Sequence, residues 1–225
     1  MENRREHYVE TQRVKEYAKS LVYDLAQDTL MVRETIYRIK NALKRIDQFA
    51  RFTDQKKIGD IRNLDIYAST VFIDGYRPYT WNRATLEQIK NSGSLRYFTN
   101  DTILNRISSY DAFTRHLDED FKGDEQRSEK TMEMKAEIID MNYPDTLYRR
   151  LRSAGDSVYS DHFLKSLGAA DLALLTNDFH KVQILVNNKL IIKSALLIRS
   201  ESELPELIKN AATLIGLLKD EYHLD

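Results

Sequence analysis

The stretch VKEYAKSLVYDLAQDTLMVRETIYRIKNALKRIDQF, residues 14–49, decides the fold class of this chain. The first fifty residues contain neither glycine nor proline, so no helix breaker interrupts them. Apolar side chains recur at alternating spacings of three and four residues, which is typical of an amphipathic helix with coiled-coil character. We therefore predict one long N-terminal helix, roughly 50 Å long at about 1.5 Å per residue. The apolar positions are Val14, Ala18, Leu21, Leu25, Val32, Ile39, Ala42, Ile46 and Phe49.

Two polar residues, Asp28 and Thr35, occupy positions within this apolar seam. We interpret the seam as a packing surface for neighbouring helices. We interpret Asp28 as a frayed point or a kink rather than as a functional site.

The composition indicates helices in the rest of the chain as well. Seven glycines and three prolines in 225 residues are too few for the tight turns of a sandwich or a doubly wound sheet. We predict an all-α fold, an antiparallel helical bundle with a long N-terminal amphipathic helix, in which residues 1–225 form a single domain. Further helices are predicted over 61–73, 83–91, 101–122, 144–153, 157–167 and from 202 onward.

Local signals predict how several of these helices begin and end. Thr80 or Asn82 is expected to cap the 83–91 helix, and Thr99 or Asn100 the helix that follows. Gly93 suits a left-handed turn. Ser202 is expected to cap the last helix, with Pro205 in its first turn.

Two segments admit alternatives. Residues 182–192 fit either a β-hairpin or part of a long helix, and we favour the helix because no third strand is predicted to pair with a hairpin. Gly123 either separates the 101–122 helix from a charged helix over 124–141 or lies within a single longer one.

Charge and composition exclude several functional classes. Lys plus Arg number 34 and Asp plus Glu 35, and this balance gives no reason to expect a nucleic-acid partner. The chain has no cysteine, so disulfides and cysteine metal sites are excluded. Its apolar runs are too short to span a bilayer, and its charged N-terminus does not resemble a signal peptide.

The sequence contains no recognisable catalytic or metal motif. The five histidines do not occur at the spacings of known metal-binding motifs. We interpret His116 with Asp118, Glu119 and Asp120 as the solvated end of a helix. We therefore expect no catalytic residues, no metal site and no cofactor.

Two short stretches form the candidate contact surface. The loop residues Tyr76, Arg77, Tyr79 and Trp81 are of types enriched at binding hot spots, although such residues also close helical cores. The second stretch is a turn containing Ser92, Gly93 and Arg96, where glycine permits a chain reversal. We expect a mainly structural role for the turn.

Two segments resemble a family of uncharacterised bacterial single-pass membrane-anchored proteins. The N-terminal segments Glu2-Asn3-Arg4-Arg5 and Glu16-Tyr17-Ala18-Lys19-Ser20-Leu21 are similar to the junction that follows the family's transmembrane helix. The segment Leu86-Glu87-Gln88-Ile89-Lys90-Asn91-Ser92-Gly93-Ser94-Leu95-Arg96 is similar to its Leu-x-Ser-Ser-Gly-Asn-Leu signature. Trp81-Asn82 and the charged 124–137 stretch have no counterpart in that pattern.

The resemblance implies a context rather than a chemistry. It places the chain at the periplasmic face of the inner membrane, held only through an anchor absent from this sequence. From the long helix and the missing motifs we expect a non-enzymatic sensing, scaffolding or partner-binding module, which binds an unknown protein or self-associates through the N-terminal helix. The alternatives are a helical-bundle enzyme or small-molecule binder with a carboxylate–histidine site, and a cytoplasmic helical adaptor.

Overall fold

The computed structural model describes residues 2–54, 63–71, 79–140, 142, 145–155, 157, 160–167 and 174–224. These residues are predominantly helical and contain no β-strand; an isolated antiparallel bridge joins Ile139 to Leu174. The all-α fold is therefore confirmed. The helices are α1 (Glu2–Asp54), α2 (Asn63–Val71), α3 (Ala84–Asn91), α4 (Asp101–Ala136), α5 (Asp145–Ser153), α6 (Asp161–Ser166), α7 (Phe179–Ile198) and α8 (Leu204–Tyr222).

The long N-terminal helix is present as α1, which begins and ends beyond the predicted seam. All nine apolar seam positions are buried, and so are Asp28 and Thr35. The prediction of a frayed point at Asp28 is wrong, because helical structure continues through it, and a kink there stays a prediction.

Helical structure also extends further than the weak breakers indicated. Gly123 lies inside α4, and residues 182–192 lie inside α7 rather than in a hairpin. A π-helical turn, Arg199–Glu203, continues directly into α8. The predicted Ser202 cap is therefore wrong, because the backbone around that residue is already helical. Pro205 does lie in the first turn of α8.

Other predicted termini are present. The Asn100 Oδ1 atom accepts hydrogen bonds from Thr102 N at 3.0 Å and Ile103 N at 3.3 Å, which caps α4. Gly93 has a φ of 68° and follows α3, as its position in the sequence predicts. The prediction that Thr80 or Asn82 caps α3 is wrong, because the N-cap residue is Arg83. The Arg83 side chain makes no capping bond, and Asn82 Oδ1 accepts only a long bond of 3.4 Å from Ala84 N.

The chain divides into two compact units. Unit 1 comprises residues 1–36, 78–121 and 201–225, and unit 2 comprises residues 37–77 and 122–200. The prediction of a single domain spanning 1–225 stays a prediction.

Contacts within unit 1 define the directions of its helices. Asn100, just before α4, donates to Glu221 near the end of α8 at 2.9 Å, and Lys15 of α1 donates to the backbone oxygen of His223 at 3.5 Å. At the start of α8, Glu203 lies beside Asp120 of α4. The two contacts together show that α8 runs antiparallel to the part of α4 in unit 1. The core of this unit includes Leu25, Trp81, Leu86, Ile89, Phe98, Ile103, Leu117, Leu207, Leu214 and Leu218.

Unit 2 has its own apolar core, which draws on helices far apart in sequence. The Tyr67 hydroxyl donates to the backbone oxygen of Asp140 at 2.8 Å, and the side chain of Asn188 donates to Thr131 at 2.8 Å. The core residues include Phe49, Leu64, Ile66, Tyr67, Ile138, Leu151, Val182 and Leu185.

None of the helices that the structure describes has a stretch both long enough and apolar enough to cross a lipid bilayer.

Candidate functional site

The seam residue Asp28 and the neighbouring acid Asp24 form a buried polar cluster in unit 1. Asp24 and Asp28 lie one helical turn apart, with exposed fractions of 7% and 2%. The segment between Tyr79 and Thr85 packs onto them and supplies most of their hydrogen-bond donors. These two buried acids therefore attach the segment to α1.

Each carboxylate is bonded to both backbone and side-chain donors. Asp28 Oδ1 accepts from the Tyr79 hydroxyl and from Asn82 N at 3.0 Å, and its Oδ2 accepts from the Tyr110 hydroxyl at 3.4 Å. Asp24 accepts from Asn82 Nδ2 at 2.8 Å and from Thr85 N at 3.3 Å. With its oxygens engaged in this way, the cluster holds the Tyr79–Thr85 segment and leaves no carboxylate aimed at a ligand.

Burial shifts the pKa of three groups at this site, Asp28, Tyr79 and Tyr110. Desolvation raises the pKa of Asp28; hydrogen bonds from Tyr79, Asn82 and Tyr110 oppose the rise, and the negative charge of Asp24 adds to it. Desolvation, together with the adjacent Asp28 carboxylate, also raises the pKa of Tyr79 and Tyr110. Both tyrosines therefore keep their protons and act as donors.

Trp81 belongs to the core of unit 1 rather than to a surface. Its exposed fraction is 5%, its ring stacks on Phe121 at 6.2 Å between centroids, and the Tyr79 ring meets it edge-on at 5.1 Å. Of the two interpretations of this loop, core closure describes Trp81 and the half-buried Tyr79. Tyr76 and Arg77 lie outside the described residues.

The predicted turn lies at the surface of unit 1. Ser92, Gly93 and Arg96 are exposed, and the Ser92 hydroxyl lies 2.7 Å from that of Ser94 within the turn. The Arg96 guanidinium stacks on the Tyr97 ring at 4.8 Å and donates to the Tyr97 hydroxyl at 2.7 Å. An open cavity of about 310 Å³ adjoins it, lined by Glu10, Thr11, Val14, Arg96, Tyr97, Thr99 and Tyr222.

A row of exposed apolar side chains on α1 was not singled out from the sequence. Tyr23 and Leu30 have exposed fractions of 64% and 60% and are seven residues apart, and Val9, fourteen residues before Tyr23, is exposed by 48%. The half-buried Ala26 lies between Tyr23 and Leu30. We call Val9, Tyr23, Ala26 and Leu30 the outer face of α1. A search for a second seven-residue spacing beside the buried seam would have found it.

The four histidines whose side chains are described, His116, His162, His180 and His223, are all exposed. Neither the cavity beside Arg96 nor a second cavity of about 220 Å³ in unit 2, lined by residues that include Asn63, Ile66, Asp178 and Phe179, holds a histidine. His116 has two carboxylates beside it, those of Asp120 and Glu203.

No family model matches the chain, and no curated protein or solved structure is significantly similar to it.

Proposed function

We propose that this chain is a non-enzymatic helical scaffolding module that self-associates through the outer face of α1. The observation that carries the proposal is the exposure of Tyr23 and Leu30 at heptad spacing on a helix whose opposite side is already buried. At about 100° per residue, Tyr23 points roughly 160° away from both Leu21 and Leu25 of the seam. α1 thus has two apolar stripes, of which one is buried and the other is exposed to solvent.

The occupant we propose for the outer face is a second copy of the same helix. In an antiparallel pair centred between residues 24 and 25, each Tyr23 faces Ala26 of the second copy, so that a large side chain packs beside a small one. The same arrangement places Glu16 opposite Arg33 of the second copy, which pairs unlike charges twice in a symmetric interface. A two-fold pair of this kind is closed, so we expect a dimer rather than a filament.

The buried Asp24–Asp28 cluster also supports a structural role. Its carboxylates accept bonds from the segment they anchor, and this use of polar residues positions a loop rather than a substrate.

Sedimentation equilibrium over a range of concentrations tests the proposal. We expect a monomer–dimer equilibrium that Leu30→Lys abolishes, because the new ammonium group would face Lys19 of the second copy. The matched control is Ile191→Lys on α7, a residue with the same exposed fraction of 60%, and this variant should still dimerise.

Charge exchange tests the antiparallel register. Glu16→Arg and Arg33→Glu should each weaken the dimer, and the double variant should restore it because the unlike pairs re-form. A monomer at every concentration, or a dimer that Leu30→Lys leaves intact, would refute self-association through this face.

A further inference from the structure

Three potential metal ligands from distant parts of the sequence meet on the surface of unit 1. His116 and Asp120 are on α4, and Glu203 is the last residue of the π-helical turn before α8. One ligand atom from each lies within 4.8 Å of the other two. The sequence places His116 beside Asp118, Glu119 and Asp120. In the fold, only Asp120 from that group lies close to His116 together with Glu203.

We propose that His116, Asp120 and Glu203 bind a divalent transition-metal ion of the zinc class. His116 and Asp120 are four residues apart and therefore share one face of α4. The His116 Nε2 atom lies 3.6 Å from Asp120 Oδ2. Two ligands of one tetrahedral ion are separated by about 3.3 Å when metal–ligand bonds are about 2.0–2.1 Å, so small side-chain rotations bring these atoms to coordinating positions.

The chemistry of the donor set selects the class of ion. One imidazole nitrogen and two carboxylate oxygens suit zinc and its neighbours, whereas magnesium and calcium prefer oxygen ligands alone. The two carboxylates also balance the charge of a divalent cation.

The surroundings leave room for the ion and its solvent. The side chain of His116 is 56% exposed and that of Asp120 is 37% exposed, so water completes the coordination that three protein ligands leave open. Asp118, the nearby acid on α4, is paired with Arg83 at 2.6 Å and is not needed as a ligand.

Glu203 is the last residue of a π-helical turn. Single π turns within helices are rare and occur frequently at functional sites, since they alter where the following side chains point. The turn Arg199–Glu203 leads into α8 and ends at the proposed ligand. The π-helical turn therefore supplies one of the three proposed ligands.

Isothermal titration of the tag-free full chain with zinc chloride tests the proposal. We expect one zinc ion per chain, with affinity at least ten-fold weaker in His116→Ala and in Glu203→Gln. His180→Ala is the matched control, because it removes an exposed histidine on α7 and should leave the affinity unchanged. Circular dichroism of each variant verifies that the helices remain.

Cobalt provides a readout specific to the ligands. Cobalt(II) bound by the wild-type chain should show visible d–d bands that differ from those of the aqueous ion, and His116→Ala should lose them. Zinc affinity that is equal in the wild type and His116→Ala, or that falls equally in His180→Ala, would overturn the proposal. Absence of zinc binding by the wild-type chain would do the same.

Discussion

At the scale of single residues, Asp28 has the most polar partners in the α1 seam. Its position there marks it as unusual, but its hydrogen-bond partners Tyr79 and Tyr110 are 51 and 82 residues away in the sequence. Burial makes its charge costly, and three donors limit the cost without abolishing it.

We predict that Asp28→Asn becomes more favourable relative to the wild type as pH rises. Because burial raises the pKa of Asp28 above its ordinary value of 3.8, the folded chain binds this proton more tightly than the unfolded chain does. That stabilisation is complete below the unfolded value and is lost as pH rises through the folded one. An asparagine oxygen can still accept from Tyr79 and from the Asn82 amide, and it carries no charge to desolvate.

Urea unfolding followed by circular dichroism at pH 4.5 and pH 7.5 measures this effect. The free energy of unfolding of the variant minus that of the wild type should be larger at pH 7.5 than at pH 4.5. The exposed Asp220→Asn change is the control and should show no such shift. A difference for Asp28→Asn that does not depend on pH would contradict the prediction.

At the scale of secondary-structure elements, caps and breakers differ in how well the sequence predicts them. Asn100 and Gly93 act as predicted because their effects depend on bonds and dihedral angles within a few residues. Gly123 and Ser202 do not end or begin helices, because packing of the flanking residues outweighs a weak local preference. The sequence of residues 182–192 is ambiguous for a related reason. A short apolar run fits both the helical period and the strand period, so local pattern alone does not distinguish them.

The cap of α4 provides a test at this scale. Asn100→Ala should lower the free energy of unfolding by about 1 kcal/mol, because two backbone amides lose their acceptor. Asn100→Ser should lower the free energy of unfolding by less than half as much. The serine hydroxyl can still cap α4, although the bond from Asn100 to Glu221 is lost. Equal losses in thermal unfolding of the two variants would show that the Glu221 bond, rather than the cap, is responsible.

At the scale of the whole molecule, buried charge is placed by tertiary structure. In unit 2, the Arg199 guanidinium forms an ion pair with Asp124, and their side chains are only 4% and 8% exposed. They are 75 residues apart, so no local pattern pairs them. A buried pair costs desolvation for both ions, and removal of one member leaves the other uncompensated.

We predict that Arg199→Met lowers the free energy of unfolding by about 3–5 kcal/mol. The double variant Arg199→Met with Asp124→Leu should recover most of that loss, since it removes both buried charges of this pair. Chemical denaturation of the two single variants and the double variant measures the coupling. A double variant whose loss equals the sum of both single losses would show that the residues act independently.

The membrane tether and the periplasmic location belong to the same scale and stay predictions. They depend on the resemblance carried by residues 2–5, 16–21 and 86–96 and on no contact within the fold.

Helical periodicity and scarce glycine and proline were enough to predict the all-α class, the long first helix and its buried face, because these signals act through neighbours three or four residues apart. Only the tertiary structure decided what the polar residues do. It placed Tyr79 and Tyr110 on Asp28, Arg199 on Asp124, and Glu203 beside His116. Each of these partnerships joins residues between 51 and 87 positions apart, and only the packing of the apolar faces brings such residues together.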